Sequence, residues 1–345
     1  MSRSTTGRPA MPDRGSAGPL PVSVVIPAWN REREIGPAIA SVRAQDRPAA
    51  EILVVDDGST DATAEVAGRA GARVLRQENR GVSAARNAGI EAATQPWIAF
   101  LDSDDVWEPD RLSSQWEARA LAPDVGLLFS DHAVFDETGV TVPSALAERS
   151  AYRDVRRTEL APGVFRCDGA SLGMAMFGGN LVKPSTVLVD RELLRSVGLF
   201  DTTFGHAEDR ELNLRLLART DAVLIARPLV RYRMHEGGAS ADALRMALGA
   251  VTVADRVLAA PERYPAGAKV YFERTRPTRL REAGVLLMER DRFDEARRVL
   301  RRSLRERFAS RTAAALGVAL AGRSVYRALV ALKRGLGLPG VRRGD

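Results

Sequence analysis

Lysine is nearly missing from this chain. Only 3 of its 51 basic residues are lysine, the rest arginine, a bias ascribed to GC-rich coding rather than to a task for arginine. Cysteine is rarer still, with Cys167 alone. One thiol excludes an internal disulfide framework and a cysteine zinc site, and it suits a reducing compartment. Long apolar runs are absent too: none approaches the roughly 18 residues of a membrane-spanning helix. Residues 1–20, rich in Arg, Ser, Gly and Pro, lack the apolar stretch of a signal peptide and read as a disordered tail. The glycine loops that cradle phosphates are also missing. No Gly-x-Gly-x-x-Gly follows the first apolar run, and no Gly-x-x-x-x-Gly-Lys-[Ser/Thr] occurs anywhere.

What is present supports a packed core. The 345 residues are 45% hydrophobic and 28% charged, enough for one large domain with an appendage. The net charge of +7 is uneven: residues 241–345 hold 23 basic and 11 acidic residues, a net of +12, which leaves −5 on 1–240. Such an arm suits an anionic surface. Nucleic acid is the weaker partner, since no helix-turn-helix, RNA-recognition or zinc-finger pattern accompanies the charge.

Strand and helix patterns alternate along the first part. VSVVIPAW (22–29) and EILVVDDGS (51–59) are apolar, β-rich runs of buried strands. Between them Ile35, Ile39 and Val42 recur at helical spacing. A helix over 61–71 starts near Asp61 and ends before Gly71. ARVLRQ is a short third strand, 82–93 a helix with Ser83 as its cap, and WIAFLD a fourth strand. A helix follows Pro109 to about Ala120, then a strand over 125–135. Residues 140–180 resist assignment. Strand then helix fit 185–198, an amphipathic helix 208–219, and an extended run 222–235. Beyond 241 the chain reads as helical, with 281–304 like one helical hairpin. The expected class is α/β, a mostly parallel sheet flanked by helices with a C-terminal helical arm. The expected divisions are a tail at 1–20, a domain at 21–240 and a basic helical region at 241–345.

In an open α/β sheet, ligands bind beyond the carboxyl ends of the strands. Three polar clusters fall there: Pro27-Ala28-Trp29-Asn30, Asp56-Asp57-Gly58-Ser59 and Asp102-Ser103-Asp104-Asp105. Without a glycine loop, a bound diphosphate needs another anchor. A divalent cation held by carboxylates supplies one, bridging protein and phosphate oxygens.

VSVVIPAWNRE, ILVVDDGSTDAT, NRGVSAARNAGI, FLDSDD and HAEDREL, in this order and spacing, resemble the family 2 glycosyltransferases over about residues 21–236. The resemblance implies a GT-A fold, a nucleotide-sugar donor, Mn²⁺ or Mg²⁺, and inversion at the anomeric carbon. By position it places Pro27, Ala28, Trp29, Asn30 and Glu32 around the base and ribose. Asp57 resembles the carboxylate that accepts a hydrogen bond from the base, which favours a UDP donor. Arg86 is placed near the diphosphate or base. Asp102, Ser103 and Asp104 match the Asp-x-Asp motif, Asp102 near ribose or sugar and Asp104 on the metal, with His235 as a further ligand. Glu208 joins the donor site, and Asp209 matches the general base, kept ionised by a helix N-terminus.

Plainer readings stand beside these. Asp56 and Asp57 could be turn formers, Asp105 a turn or capping residue, Glu208 and Asp209 favourable helix-start charges, His235 polar filler, and Arg86 the partner of a helix neighbour. A sugar-phosphate nucleotidyltransferase would want a lysine-bearing glycine loop, and a glycoside hydrolase needs no nucleotide pocket. A non-catalytic nucleotide-sugar binding module would be expected to lose Asp104 or Asp209. The acceptor is a hydroxyl of unknown identity, lipid-linked or saccharide. Along the C-terminal arm Leu316, Leu320, Val325, Leu329, Leu332 and Leu336 recur with Arg323, Arg327, Lys333 and Arg334 between them. That stripe could pack on the domain or a second subunit, or lie on an anionic membrane. Packing is the favoured expectation, in a cytoplasmic protein with peripheral attachment to the inner membrane face as the other.

Overall fold

A computed structural model describes residues 18–234 and 242–335, with side chains as far as residue 332. His235 and Leu336 lie outside the described residues. The strands are β1 (Leu20–Ala28), β2 (Ala49–Asp56), β3 (Arg73–Arg76), β4 (Trp97–Phe100), β5 (Val106–Trp107), β6 (Leu127–Asp136), β7 (Gly139–Val142), β8 (Arg157–Ala161), β9 (Val164–Cys167), β10 (Leu188–Asp190) and β11 (Ala222–Arg233). They form one sheet in the order β3-β2-β1-β4-β10-β6-β11-β9-β8, with β5 on β11 and β7 on β6. β3, β2, β1 and β4 run parallel, as do β6 and β11; β10 is wedged antiparallel between β4 and β6. The unassigned stretch after 140 supplies the antiparallel edge, β8 and β9.

The helices are α1 (Ile35–Arg43), α2 (Thr63–Arg69), α3 (Val82–Ala92), α4 (Arg111–Ala120), α5 (Ser150–Arg153), α6 (Gly169–Ala175), α7 (Arg191–Val197) and α8 (Glu208–Leu217), followed by α9 (Ala243–Ala259), α10 (Ala268–Glu289), α11 (Phe293–Glu306), α12 (Ser310–Ala321) and α13 (Arg323–Gly335). Successive strand residues face opposite sides of the sheet. Val24 and Ile26 therefore join Ile39, Ala67 and Leu112 under α1, α2 and α4. Val25 meets Ile90, Leu194 and Leu212 under α3, α7 and α8. Ser83 does not cap α3: the cap position is Gly81, and the buried Ser83 hydroxyl has no partner among the described residues.

The helix over 208–217 is not the amphipathic surface helix its pattern suggests, because nine of its ten residues are buried. Its charges survive burial by pairing internally. Arg215 forms a fork to Glu211 at 2.6 Å and donates to the carbonyls of Val197 and Leu199, each at 2.6 Å. The Tyr264 hydroxyl donates to Glu211 at 2.7 Å. A guanidinium with five N–H groups can satisfy two carbonyls and a carboxylate at once, which an ammonium cannot.

The chain beyond 242 divides its packing. Val253, Ala254, Val257, Tyr264, Ala268 and Phe272 join the core that also holds Phe100 and Leu212. Leu287, Met288, Ala296, Leu300 and Ala319 form a second, smaller core in the helical stack. There Gly284 lets α10 and α11 close, since a Cβ would stand 2.6 Å from Leu300.

Removing one partner of a buried pair leaves the other charge uncompensated. Arg215→Ala is therefore expected to destabilise the fold by about 3–5 kcal/mol. Arg73→Ala, from a half-exposed surface pair with Glu51, should cost under about 1 kcal/mol. Denaturant melts check both; equal losses would remove the structural role given to Glu211, Arg215 and Tyr264.

Candidate active site

The loops after β1 and β2 are laced together. Pro27 and Ala28 end the buried strand, and Trp29 follows at 53% exposure, a free aromatic face at the mouth. Asn30 has φ 52°, a left-handed conformation that Asn tolerates. Its amide donates to Ser59 Oγ at 2.9 Å and its Oδ1 accepts from the Thr60 amide at 2.9 Å. Glu32 Oε2 accepts from the Ala62 amide at 3.1 Å, at the head of α2. Asp57 is buried and accepts three N–H groups: Gln77 Nε2 at 2.6 Å, and the amides of Arg80 and Gly81 at 2.9 and 2.8 Å. It thereby shapes the turn into α3. A carboxylate offers about four lone-pair directions, and these three donors occupy three of them. Asp56 is a turn former, accepting from the Ser59 amide at 3.1 Å, and also from Arg76 at 3.2 Å.

The crowd of carboxylates after β4 meets a cation from within the chain. Arg86, buried on α3, donates to Asp102 Oδ1 at 2.8 Å and to Glu208 Oε1 at 2.7 Å. Its guanidinium also lies 5.2 Å from the Phe200 ring centroid. Burial alone would lower its pKa, but Asp102 and Glu208 reverse that and raise it. Arg86 thus does not merely pair with a helix neighbour but bridges the loop after β4 to the head of α8.

Asp105 is structural. It is 1% exposed, hydrogen-bonds the Ser185 hydroxyl, and accepts the Arg233 amide at 2.9 Å. Burial, then Asp102 and Asp104, push its pKa well above the ordinary carboxylate range. Ser103 is buried beside it, while Asp102 and Asp104 stay half-buried. The Asp102 amide donates to Ser185 Oγ at 3.0 Å, and Arg233 Nε to the Asp104 carbonyl at 3.3 Å. Among the described residues, no group of three or more acidic, His or Cys side chains is placed to hold a metal. Two carboxylates fit a hard cation that takes its remaining oxygens from a diphosphate and water. Asp104 and the second oxygen of Asp102 are those candidates, since Arg86 holds the first.

Asp209 begins α8. The preceding Ala207 sits at φ 67°, a conformation costing a non-glycine residue on the order of 1 kcal/mol. Gly249 of α9 makes room for it: a Cβ there would lie 2.9 Å from the His206 carbonyl and 3.1 Å from Ala207 Cβ. Asp209 Oδ2 accepts from Asn180 Nδ2 at 2.7 Å, and Oδ1 from the Arg210 amide at 2.7 Å. Its pKa is raised, by burial first and Glu208 second, with Lys183 and Arg86 opposing. Desolvation and the neighbouring Glu208 thus oppose the helix N-terminus that was expected to keep Asp209 ionised.

Beside Asn180, three further residues escaped the sequence reading. Buried Arg210 donates to the carbonyls of Met176 and Phe177, fixing the segment that carries Asn180. Ser185 ties Asp102 to Asp105. Lys183 lies 5.1 Å from the Tyr232 ring centroid. Its one signal was its type, since it is the sole lysine before residue 269 in an arginine-rich chain. The site has no pattern for the others, as each acts through a backbone carbonyl or a single hydroxyl.

Comparison with known proteins follows this geometry. Residues 23–176 match the family model described as Glycosyl transferase family 2. The chain is 31% identical over 222 residues to "Putative glycosyltransferase EpsH" of Bacillus subtilis (strain 168), covering 62% of this chain and 61% of that protein. The chain thus spans about three fifths of that relative's length. The crystal structure of S. aureus TarS 1-349 in complex with UDP-GlcNAc superposes with a TM-score of 0.60 at 18% identity, over 94% of this chain and 93% of that one. The mannosyltransferase PcManGT from Pyrobaculum calidifontis, in complex with GDP-Man and Mn²⁺, gives 0.55 at 21% identity, over 94% and 87%. At these identities the two structures bear on fold, and both the sheet and the flanking helices agree with it.

The raised pKa of Asp209 carries a stability consequence. A carboxyl held above its unfolded pKa binds its proton more tightly when folded. Its ionised form therefore costs stability at every pH above the folded value, and that cost disappears as pH falls below the unfolded one. Asp209→Asn keeps an oxygen for Asn180 and removes the charge. The variant should melt at or above the wild-type Tm at pH 7, with the difference shrinking toward pH 4. A Tm clearly below wild type at pH 7 would contradict this.

Proposed function

On the premise that the chain carries a family 2 glycosyltransferase domain of GT-A type, we propose that it moves a sugar from a nucleoside-diphosphate donor, UDP preferred, to an acceptor hydroxyl with inversion. The setting is polysaccharide or glycoconjugate synthesis. The observation that carries this reading is the Arg86 bridge, which joins Asp102 of the Asp-x-Asp segment to Glu208, next to Asp209. It brings the two ends of the transfer, leaving diphosphate and attacking hydroxyl, onto one edge of the sheet.

The base and ribose lie against Trp29, Asn30 and the Asp57 turn. The free lone pair of Asp57 accepts the N3–H of uracil; cytosine N3 and adenine N1 are acceptors and would face it unpaired, at about 1–3 kcal/mol. Guanine N1–H would satisfy it as well, so in this proposal discrimination against GDP falls to the Trp29 ring. Asp104 and Asp102 would hold Mn²⁺ or Mg²⁺, with His235 as a further ligand in this proposal. When bound, the cation offsets the charge that grows on the leaving oxygen. Asp209 accepts the proton of the acceptor hydroxyl as that oxygen forms its bond to the anomeric carbon. The bond from that carbon to the diphosphate oxygen breaks with its electron pair leaving on the diphosphate.

A raised pKa suits a base, because the driving force for proton transfer rises with the basicity of the accepting group. The acid limb of the kcat/KM profile should therefore sit above the value of about 3.9 for free Asp. Lys183→Gln removes an opposing positive charge and should move that limb higher still. A limb that stays in place in the variant would detach Lys183 from Asp209.

Turnover is read by release of nucleoside diphosphate from a panel of UDP-, dTDP-, GDP-, CDP- and ADP-sugars. Asp209→Asn should lower it roughly 10²–10⁴-fold with donor affinity by calorimetry nearly intact. Asp104→Ala and excess EDTA should each abolish most of it. Full turnover in EDTA removes the metal, and a GDP- or ADP-sugar as best donor removes the base recognition by Asp57.

A further inference from the structure

The C-terminal stripe can now be placed. Val325, Leu329 and Leu332 sit at i, i+4 and i+7 of α13 and so share one face. All three are open to solvent, at 41%, 45% and 60%, and Leu320 at the end of α12 is 53% exposed. Packing, the favoured expectation, fails for this face among the described residues. What α13 packs is another side, where Tyr326 meets Phe293 with ring centroids 6.0 Å apart.

The reason lies in charge. Arg323 and Arg327 fall on the side of α13 opposite the stripe, and both reach Asp291 in the turn between α10 and α11. The distances are 2.6 Å for Arg323 and 3.4 Å for Arg327. Those pairs, with Tyr326, fix the helix about its axis and turn the leucines outward.

The geometry points to an anionic lipid surface as the occupant of this face, with α13 lying in the headgroup layer and its leucines pointing into the acyl boundary. Three observations favour lipid over a second copy of the chain. The region 241–345 carries +12, so two copies meeting through it bring like charges together, whereas anionic headgroups attract it. Exposed arginines continue beyond α13, at Arg298, Arg301 and Arg305 of α11 and Arg311 of α12. The helix has the apolar face and arginine-bearing polar face of an interfacial helix, and no helix among the described residues is long and apolar enough to cross a membrane. The inference is independent of the reaction proposed above, because it rests on the helical region after residue 241 and on no residue given a role in that reaction.

The test is co-sedimentation of the full chain with phosphatidylglycerol–phosphatidylcholine vesicles, beside pure phosphatidylcholine vesicles, at low and high salt. The chain should sediment with the anionic vesicles at low salt and be largely released by high salt or by omitting the anionic lipid. The double variant Leu329→Glu/Leu332→Glu should bind roughly tenfold or more weakly with an unchanged circular dichroism spectrum. Its release of nucleoside diphosphate in detergent-free buffer should match wild type, which separates a failure here from a failure of the glycosyl-transfer reading. Three results would overturn the inference: wild type that stays in the supernatant at low salt, equal binding by the double variant, or a wild-type dimer by light scattering that the double variant converts to monomer.

Discussion

One guanidinium sets the arrangement of the site. Arg86 is separated by 16 residues from Asp102 and by 122 from Glu208, yet touches both. Glu208 is nearly out of water at 10% side-chain exposure and Asp102 only partly so at 26%, while the arginine itself is at 4%. Two carboxylates this close to one centre repel unless a cation stands between them. A planar fork presents two N–H groups in fixed directions, one to each carboxylate, a geometry a point-like ammonium does not pre-set. The bridge therefore fixes the loop after β4 relative to the head of α8.

Around that bridge the negative charge is sorted by environment. Asp105 is buried deepest, holds the Ser185 hydroxyl and the Arg233 amide, and is pushed far up in pKa. Asp102 and Asp104 keep contact with water and can face a cation. Asp209 lies between these extremes, raised by burial and by Glu208 but restrained by Lys183 and Arg86. Neighbouring carboxyl groups with divergent pKa values are the means by which one site performs both binding and proton transfer. The supporting layer is the buried helix α8, whose Arg210 and Arg215 consume the carbonyls of the segments on either side. α9 contributes through Gly249, which admits the left-handed Ala207 immediately before Glu208 and Asp209.

The parallel half of the sheet was legible because its strands are short apolar runs broken by Asp, Gly and Ser, a pattern with few other solutions. The three polar loops were legible for the same reason. The segment after 140 was not, since β8 and β9 form an edge hairpin with exposed Arg157, Thr158 and Glu159 and little apolar signal. α8 misled because its charges read as a solvated face, while in the fold they pair with each other and with backbone carbonyls; a single sequence does not tell these apart. Asp57 was legible as a site carboxylate, but its three N–H donors come from residues 77, 80 and 81, a turn whose path the sequence left unspecified. The orientation of α13 depended on Asp291, a lone acid in a turn, and so reversed the expectation of a packed stripe.

The central claim is that Arg86 holds the site by compensating two carboxylates, and a double-mutant cycle on folding stability tests it most directly. Arg86→Gln should destabilise strongly, by about 3–5 kcal/mol, because it leaves Asp102 and Glu208 facing each other unpaired. Adding Glu208→Gln removes one of the stranded charges and should restore part of that loss, a coupling of about 0.5–3 kcal/mol. If the two substitutions simply add, Arg86 is not the charge that joins these segments, and the arrangement of Asp102, Glu208 and Asp209 must rest on something else.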